Sequence, residues 1–300
     1  MTVIVVGAGI SGIACARVLA EAGVAVRVLE RGHVVGGRMA TKRYAGRRAD
    51  IGAGYFTASD PAFTALVDTW TGAGLARPWT DTMRVFGPDG ESSTTGPMRY
   101  AAPAGLRSLV EHLAEGLDVV TGHTVERVGP GPTVDGEQVD AVVLAMPDPQ
   151  AQRLLATDDR VRPWSPALVA TIAYPDRSWA DFHGAFVNDH PVLTTVFDDG
   201  SRRGDGAPVL VAHTTAEFAR RHLADPGAAG VEIASAVSAL FDLADAVSVD
   251  VHRWTYASPL QPYDRAFALD DGIGLVGDAW GSPRVETAWL SGTALGRALV

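Results

Sequence analysis

The sequence predicts an α/β fold in two parts: a parallel-sheet domain assembled from separated stretches of chain, and a second α+β domain inserted between them. Three observations predict it. The first 30 residues read strand, helix, strand. Between about 160 and 262 the texture changes to tryptophans, prolines and short strands, and the closing residues return to a buried strand and a helix. Short apolar runs alternating with helical stretches are what a sheet covered by helices requires.

Each element has a local cause. Val3 to Val6 is a β-branched run ended by glycine, hence a buried parallel strand. Ser11 to Ala22 is alanine-rich and stops at Gly23, a helix with its C-terminal cap. Val24 to Leu29 is a second strand, completing a βαβ unit. Residues 31–57, rich in glycine and arginine, read as a functional loop. Residues 61–74 look helical, and 83–95 suggest a hairpin turning at Pro88, Asp89 and Gly90. Leu106 to Leu117 is an amphipathic helix, Val119 to Val128 a strand pair, and Asp140 to Ala145 a buried strand stopped by Pro147. The second part should hold one helix near 230–243. Its charged stretch DDGSRRGDG (198–206) reads as an exposed, flexible turn. Gly274 to Val276 is a last strand, followed by a helix to Leu299. The expected division gives 1–57, 98–150 and 264–300 to the first domain, and 58–97 and 151–263 to the second.

Bulk composition excludes several classes. The formal net charge of −10 argues against nucleic acid or an anionic membrane as a partner, since both call for a basic face. Cys15 is the only cysteine, so no internal disulfide and no cysteine zinc site can form. The histidines lack ligand spacing such as HExxH, and no metal site is expected. No apolar run reaches the ~18 residues that span a bilayer, and the opening MTVIVVGAG lacks the basic flank of a signal sequence. A cytoplasmic protein acting on a small molecule is the expectation. Lys42 is the only lysine.

The chemistry starts at GAGISG. Gly7 permits a tight turn, Gly9 lets a pyrophosphate approach the backbone, and Gly12 lets the helix pack on the strand. Ile10 and Ser11 open the helix, whose free N–H groups and about half a positive charge suit phosphates. Glu30 ends the second strand, placed to accept hydrogen bonds from ribose hydroxyls. This is a Rossmann-like dinucleotide site. The bland alternative is a glycine-rich turn without a ligand, which leaves the acid unexplained.

The next segment, ERGHVVGGRMATKR, followed by DIGAGYFT, resembles the flavoproteins with two dinucleotide-binding motifs: amine oxidases, protoporphyrinogen oxidase, phytoene desaturases and renalases. The resemblance implies non-covalently bound FAD. Gly36, Gly37 and Arg38 would lie along its pyrophosphate and ribityl chain, with Arg31 and Met39 in the same stretch. Gly52, Ala53, Gly54 and Tyr55 would lie beside the isoalloxazine ring. GLVGDAWGSPRVETAWLSGTALGRAL looks like the family's closing motif. By that likeness Gly277 and Asp278 meet the ribityl chain, and Val285, Glu286 and Thr287 open a helix aimed at flavin N1 and the C2 oxygen. Val125 matches the strand whose backbone contacts adenine.

Within that superfamily the chain is most similar to renalases. The spacing from GGRMAT to YFT carries this, together with VVLAMPDPQAQRLL, VLVAHTTAEF and VHRWTYASP. Renalases oxidise 2- and 6-dihydro isomers of NAD(P)H. A hydride passes to flavin N5, the ring becomes aromatic, and dioxygen reoxidises the flavin to give hydrogen peroxide. No base is needed, which fits a chain whose single lysine lies outside the substrate domain. Candidate substrate contacts are Tyr55, His213, Thr214 and His252, with Trp254, Trp280 and Trp289 as ring walls and Asn188 and Arg99 as weaker candidates. For each histidine and tryptophan the competing reading is a packed structural residue. Two other functions stay open: an amine or other small-molecule oxidase on the same scaffold, and a flavin-bound redox sensor or accessory protein without turnover.

Overall fold

The computed structural model describes residues 1–44, 46–156 and 162–300. In chain order, β1 (Thr2–Val6), α1 (Ile10–Glu21) and β2 (Ala25–Glu30) precede an antiparallel pair, β3 (Thr41–Tyr44) and β4 (Arg47–Asp50), and then α2 (Pro61–Gly72). A long hairpin, β5 (Arg77–Gly87) and β6 (Gly90–Ala101), leads to α3 (Arg107–Ala114) and β7 (Asp118–Thr121). Three short strands follow, β8 (Val128–Gly129), β9 (Thr133–Val134) and β10 (Glu137–Gln138), then β11 (Ala141–Leu144) and α4 (Asp148–Leu155). The inserted part contains β12 (Trp164–Ala173), β13 (Gly184–Val187), β14 (Leu193–Asp198), α5 (Asp199–Arg203), β15 (Val209–Thr214), α6 (Ala216–Arg221), α7 (Gly230–Phe241) and β16 (Ser248–Pro259). β17 (Ala268–Asp270), β18 (Ile273–Leu275) and α8 (Val285–Ala298) complete the order.

The first sheet runs β17-β18-β11-β1-β2-β7. All its pairings are parallel except the edge pair β17–β18. Val3, Val5, Val142 and Val143 are fully buried, as strands covered on both faces must be. Two glycines set the helix layer. A Cβ on Gly292 would stand 1.9 Å from the Ser11 carbonyl oxygen, and one on Gly296 would stand 3.0 Å from that of Cys15. Thus α8 lies directly against α1. Cys15 is buried there, and burial pushes its thiol up to about 12.

The second sheet runs β16-β12-β15-β14-β13-β5-β6, antiparallel except for β13–β5. Strand alternation gives it two different faces. Leu168, Ala170 and Ile172 of β12, with Leu210 and Ala212 of β15, pack against Phe218, Ile233 and Val237 of the helices. The intervening residues, among them His213 of β15 and Phe197 of β14, face the loop after β4.

The two-part α/β reading holds, with four local departures. Residues 198–206 are not an exposed turn. They contain α5, in which Asp199, Arg202 and Arg203 are buried because Asp199 meets Arg47 and both helix arginines, Arg203 also meets Asp50, and Arg202 also donates to the Gly54 oxygen. The residues at 119–128 do not pair with one another: β7 joins β2, and β8 joins β9. Residues 31–57 are not all loop, since β3 and β4 lie within them. Finally, position in the chain assigns α2 to the inserted part, yet Phe63, Val67 and Trp70 belong to the core around α1.

Candidate functional site

Two glycine turns meet at the C-terminal end of β1. Gly7 has φ +107°, and a Cβ there would lie 2.6 Å from the Ala145 oxygen. Gly9 bridges to Gly36, whose N–H donates to the Ala8 oxygen at 2.9 Å. Gly37 has φ +52°, and its added Cβ would come 3.1 Å from the Gly9 Cα. At Gly12 a Cβ would meet the Gly7 oxygen at 2.1 Å. No side chain caps the N-terminus of α1, so its first N–H groups are free. Ser11 Oγ is buried beside them without a hydrogen-bond partner. Glu30 is braced by two backbone amides, one from the glycine turn after β1 and one from its own turn: Oε2 accepts from the Ala8 N–H at 2.8 Å and Oε1 from the Gly32 N–H at 2.6 Å. A carboxylate so held keeps lone pairs for a ribose hydroxyl.

Four candidates at this end behave differently. Ile10 and Met39 put their side chains into the first core, leaving only backbone for a ligand. Arg31 is exposed. Val125 lies in the loop between β7 and β8 rather than in a strand, packed with Ile4, Val6 and Leu29.

Arg38 and Asp278 form a two-bond fork across 240 residues, at 2.7 and 2.6 Å. The guanidinium also donates to the Ala257 oxygen at 3.1 Å and lies 5.1 Å from the Trp164 ring centre. Next to it Gly277 has φ +152°, and a Cβ added there would find nothing within 4 Å, so the chain leaves open space at this point. The Ala53 N–H donates to the Arg38 oxygen at 2.9 Å, and a side chain at Gly52 would strike that same oxygen at 1.9 Å. Gly54 lies against Phe197, 2.3 Å from where a Cβ would stand. Tyr55 meets Phe197 edge-on at 5.9 Å, and Arg99 lies 5.3 Å over its ring.

The start of α8 presents backbone rather than side chains. Glu286 turns away, accepting from Ser59 N–H, Ser59 Oγ and Asp60 N–H at 2.6 to 2.8 Å. Burial would raise its carboxyl, but the Asp60 and Ser59 donors outweigh that and hold it below the usual glutamate range. Thr287 donates to the Ser282 oxygen, and Val285 packs on the first core. The helix has no side-chain N-cap, so its amide groups stay available.

His213 has a buried Nε2 without a partner and meets Phe197 edge-on at 5.5 Å. Burial, aided by the Arg202 charge, pushes its imidazole down to about 4, so it is neutral. Thr214 does not join it. Neighbouring strand residues face opposite sides, and the Thr214 hydroxyl accepts the Leu168 N–H at 3.0 Å on the helix-covered face. His252 is opposite Val169, which is opposite His213, so the three share one face. Burial lowers the His252 imidazole too, and its ring meets Trp254 at 4.6 Å. Trp254 Nε1 donates to the Ile51 oxygen at 2.6 Å, holding the chain just before Gly52. Trp289 lies elsewhere: it packs on Phe63 of α2 at 5.4 Å, because its position on α8 points it into the helix layer. Trp280 stacks on Tyr263 at 4.1 Å, and Asn188 is exposed beyond β13. Lys42 pairs with Asp250 at 2.8 Å with both side chains partly exposed. Sequence reasoning misses Phe197 and Arg202, the second because its charge marks it as surface.

The phosphate end and the open space at Gly277 fit a dinucleotide: an orphaned hydroxyl, an uncapped helix and glycines where backbone approaches. Comparison with known proteins agrees. Residues 5–70 match the NAD(P)-binding Rossmann-like domain model, and residues 70–298 match that of the flavin containing amine oxidoreductases. The chain belongs to the flavin-containing amine oxidoreductase family. Its cofactor is FAD. Polyamine oxidase 1 of Oryza sativa subsp. japonica is 36% identical over 126 residues, which is 41% of this chain but 22% of that enzyme. A putrescine oxidase bound to putrescine superposes with a TM-score of 0.74 at 16% identity, over 100% of this chain and 99% of that one. An oxidoreductase from Methanosarcina mazei gives 0.71 at 14% identity, over 98% and 99%. Identities this low speak for the fold alone. Among the described residues no helix is long and apolar enough to cross a membrane, and no His, Cys, Asp and Glu cluster is arranged for a metal ion.

Proposed function

We propose that this chain is a flavin oxidase of the renalase type, oxidising dihydronicotinamide isomers of NAD(P)H with dioxygen as acceptor. The observation that carries the reading is electrostatic. Among the described residues, the face of the second sheet turned to segment 52–55 presents the Arg99 guanidinium without a carboxylate partner. Arg99 is buried, and its hydrogen bonds go to the Asp81 and Pro97 oxygens, not to a carboxylate. Asp50 and Asp199 are held by Arg47, Arg202 and Arg203, and Asp250 by Lys42. An ammonium substrate would enter beside the buried Arg99 guanidinium, which has no carboxylate to offset it. Like charges ~4 Å apart repel by about 4 kcal/mol at an effective dielectric of ~20. A neutral dihydropyridine carried on phosphates meets no such repulsion.

The bound flavin supplies the two-electron acceptor. The chain's own residues then have only to position the substrate ring and exclude water, because aromatisation removes the need for a base. Neutral His213 offers Nε2 to a carboxamide, Tyr55 and Trp254 wall the ring, and the single lysine stays at the surface. A second reading, amine oxidation, is favoured by the family match and by the polyamine oxidase likeness.

Anaerobic mixing of the yellow protein with 6-dihydro-NAD, ordinary NADH and a panel of amines, followed by flavin absorbance, separates them. Rapid bleaching by the dihydro isomer is the expected result. Bleaching by an amine alone would transfer the chain to the second reading.

A further inference from the structure

We propose that Arg202, on the five-residue helix α5, is a positioning residue for the ring-side segment 52–55. Gly54 has no side chain for the inserted domain to grip, and Phe197 occupies the space where one would be. Its carbonyl is the remaining handle. Arg202 is 1% exposed and Nη1 donates to the Gly54 oxygen at 2.9 Å. Nη2 donates to Asp199 Oδ1 at 2.6 Å and lies 3.5 Å from the Asp50 oxygen.

The guanidinium is fixed from behind. Asp199, fully buried, also takes Arg47 of β4 at 2.5 Å and Arg203 at 3.0 Å. Arg203 reaches on to Asp50 at 3.3 Å, and Asp50 Oδ1 takes the Thr41 hydroxyl and the Leu106 N–H. The chain is therefore pinned by one ion-pair cluster at Asp50, just before the segment, and at Gly54 within it, with the Trp254 bond to Ile51 between these two points.

Stability alone does not account for such a cluster. Burying ion pairs costs desolvation that offsets their attraction, and packed apolar residues would serve about as well. What apolar residues cannot do is aim a rigid planar donor at one carbonyl oxygen and one carboxylate together. The geometry of α5 thus fixes the backbone that faces the flavin.

The inference rests on the reading of 52–55 as the ring-side segment, and the test separates the two. Arg202→Met, Arg202→Lys and Ala53→Val holoproteins are titrated anaerobically with a reference dye, without substrate, and their flavin spectra recorded. Arg202→Met is expected to keep FAD but to lower the reduction equilibrium about tenfold, about 30 mV for a two-electron couple, with a changed band shape. Arg202→Lys keeps the charge without the fork and should resemble Met more than wild type. If Arg202→Met fails to fold, Arg202→Lys carries the test. Wild-type potential and spectrum in Arg202→Lys would overturn the positioning role. If Ala53→Val is equally silent, the ring-side reading itself fails; if Ala53→Val shifts the flavin while the Arg202 variants do not, the Arg202 inference alone fails.

Discussion

Replacing His213 by glutamine should flatten the acid limb of the stability curve. In the folded chain, burial and then the Arg202 charge push this imidazole from 6.5 down to about 4. Unfolded, it titrates near ~6.5. Between those values the unfolded chain binds a proton that the folded chain refuses. Stability is therefore lost as pH falls from about 6.5, and the loss levels off near 4, where both forms are protonated. At ~1.36 kcal/mol per pH unit the full gap is worth about 3 kcal/mol. Because the ring is only partly enclosed, about 2 to 3 kcal/mol is the range to look for. Urea unfolding of wild-type and His213→Gln holoproteins at pH 7.5 and 4.5 measures it. Glu286 and other carboxylates lose stability with acid in both proteins, so the difference between the two isolates His213. Parallel losses in the two proteins would refute a buried, neutral imidazole. The same variant should also slow anaerobic flavin reduction by the dihydro isomer while FAD stays bound.

Asp278→Ala removes the fork partner of Arg38 and should weaken FAD binding about tenfold, near 1.4 kcal/mol, read by flavin release on gel filtration. Unchanged retention would mean that the Arg38–Asp278 pair plays no part in holding the cofactor. Cys15, buried with its thiol pushed up to about 12, should stay silent to a disulfide reagent at pH 8 until the chain unfolds; prompt labelling of native protein would contradict its burial in the first core. Lys42→Met should leave the rate of flavin reduction within about twofold, since only an exposed ion pair is lost; a drop of two orders of magnitude would put the lysine in the chemistry.

What the sequence made legible were features whose causes lie close together in the chain. Gly7, Gly9 and Gly12 follow a strand and open a helix, so turn, phosphate approach and helix packing can be read from spacing alone. The closing strand and α8 were legible for the same reason. The α5 cluster was not. Asp199, Arg202 and Arg203 carry the composition of a solvated turn, and their partners Arg47, Asp50 and Gly54 lie about 150 residues earlier. Charge pairing at that distance leaves no local trace. His213 and Thr214 do not share a face: alternation with Leu210 and Ala212 marks Thr214 as the inward member, a distinction the strand period carries in the sequence itself. Trp289 could have been placed likewise, from the helix face it shares with the residues opposite Phe63.

The contact of α8 with α1 bears on how the molecule is made. Synthesis delivers the N-terminal strands and their helix first, yet that helix has its glycine-lined partner only in Val285–Ala298. The sheet has the same problem, since β1 waits for β11, and β11 for β18. Until α8 leaves the ribosome, one side of α1 stays apolar and uncovered. The inserted domain, whose seven strands all lie between residues 77 and 259, has no such wait. Released chains truncated near residue 270 should therefore carry a protease-resistant insert flanked by an unfinished nucleotide-binding half that is an open target for chaperones.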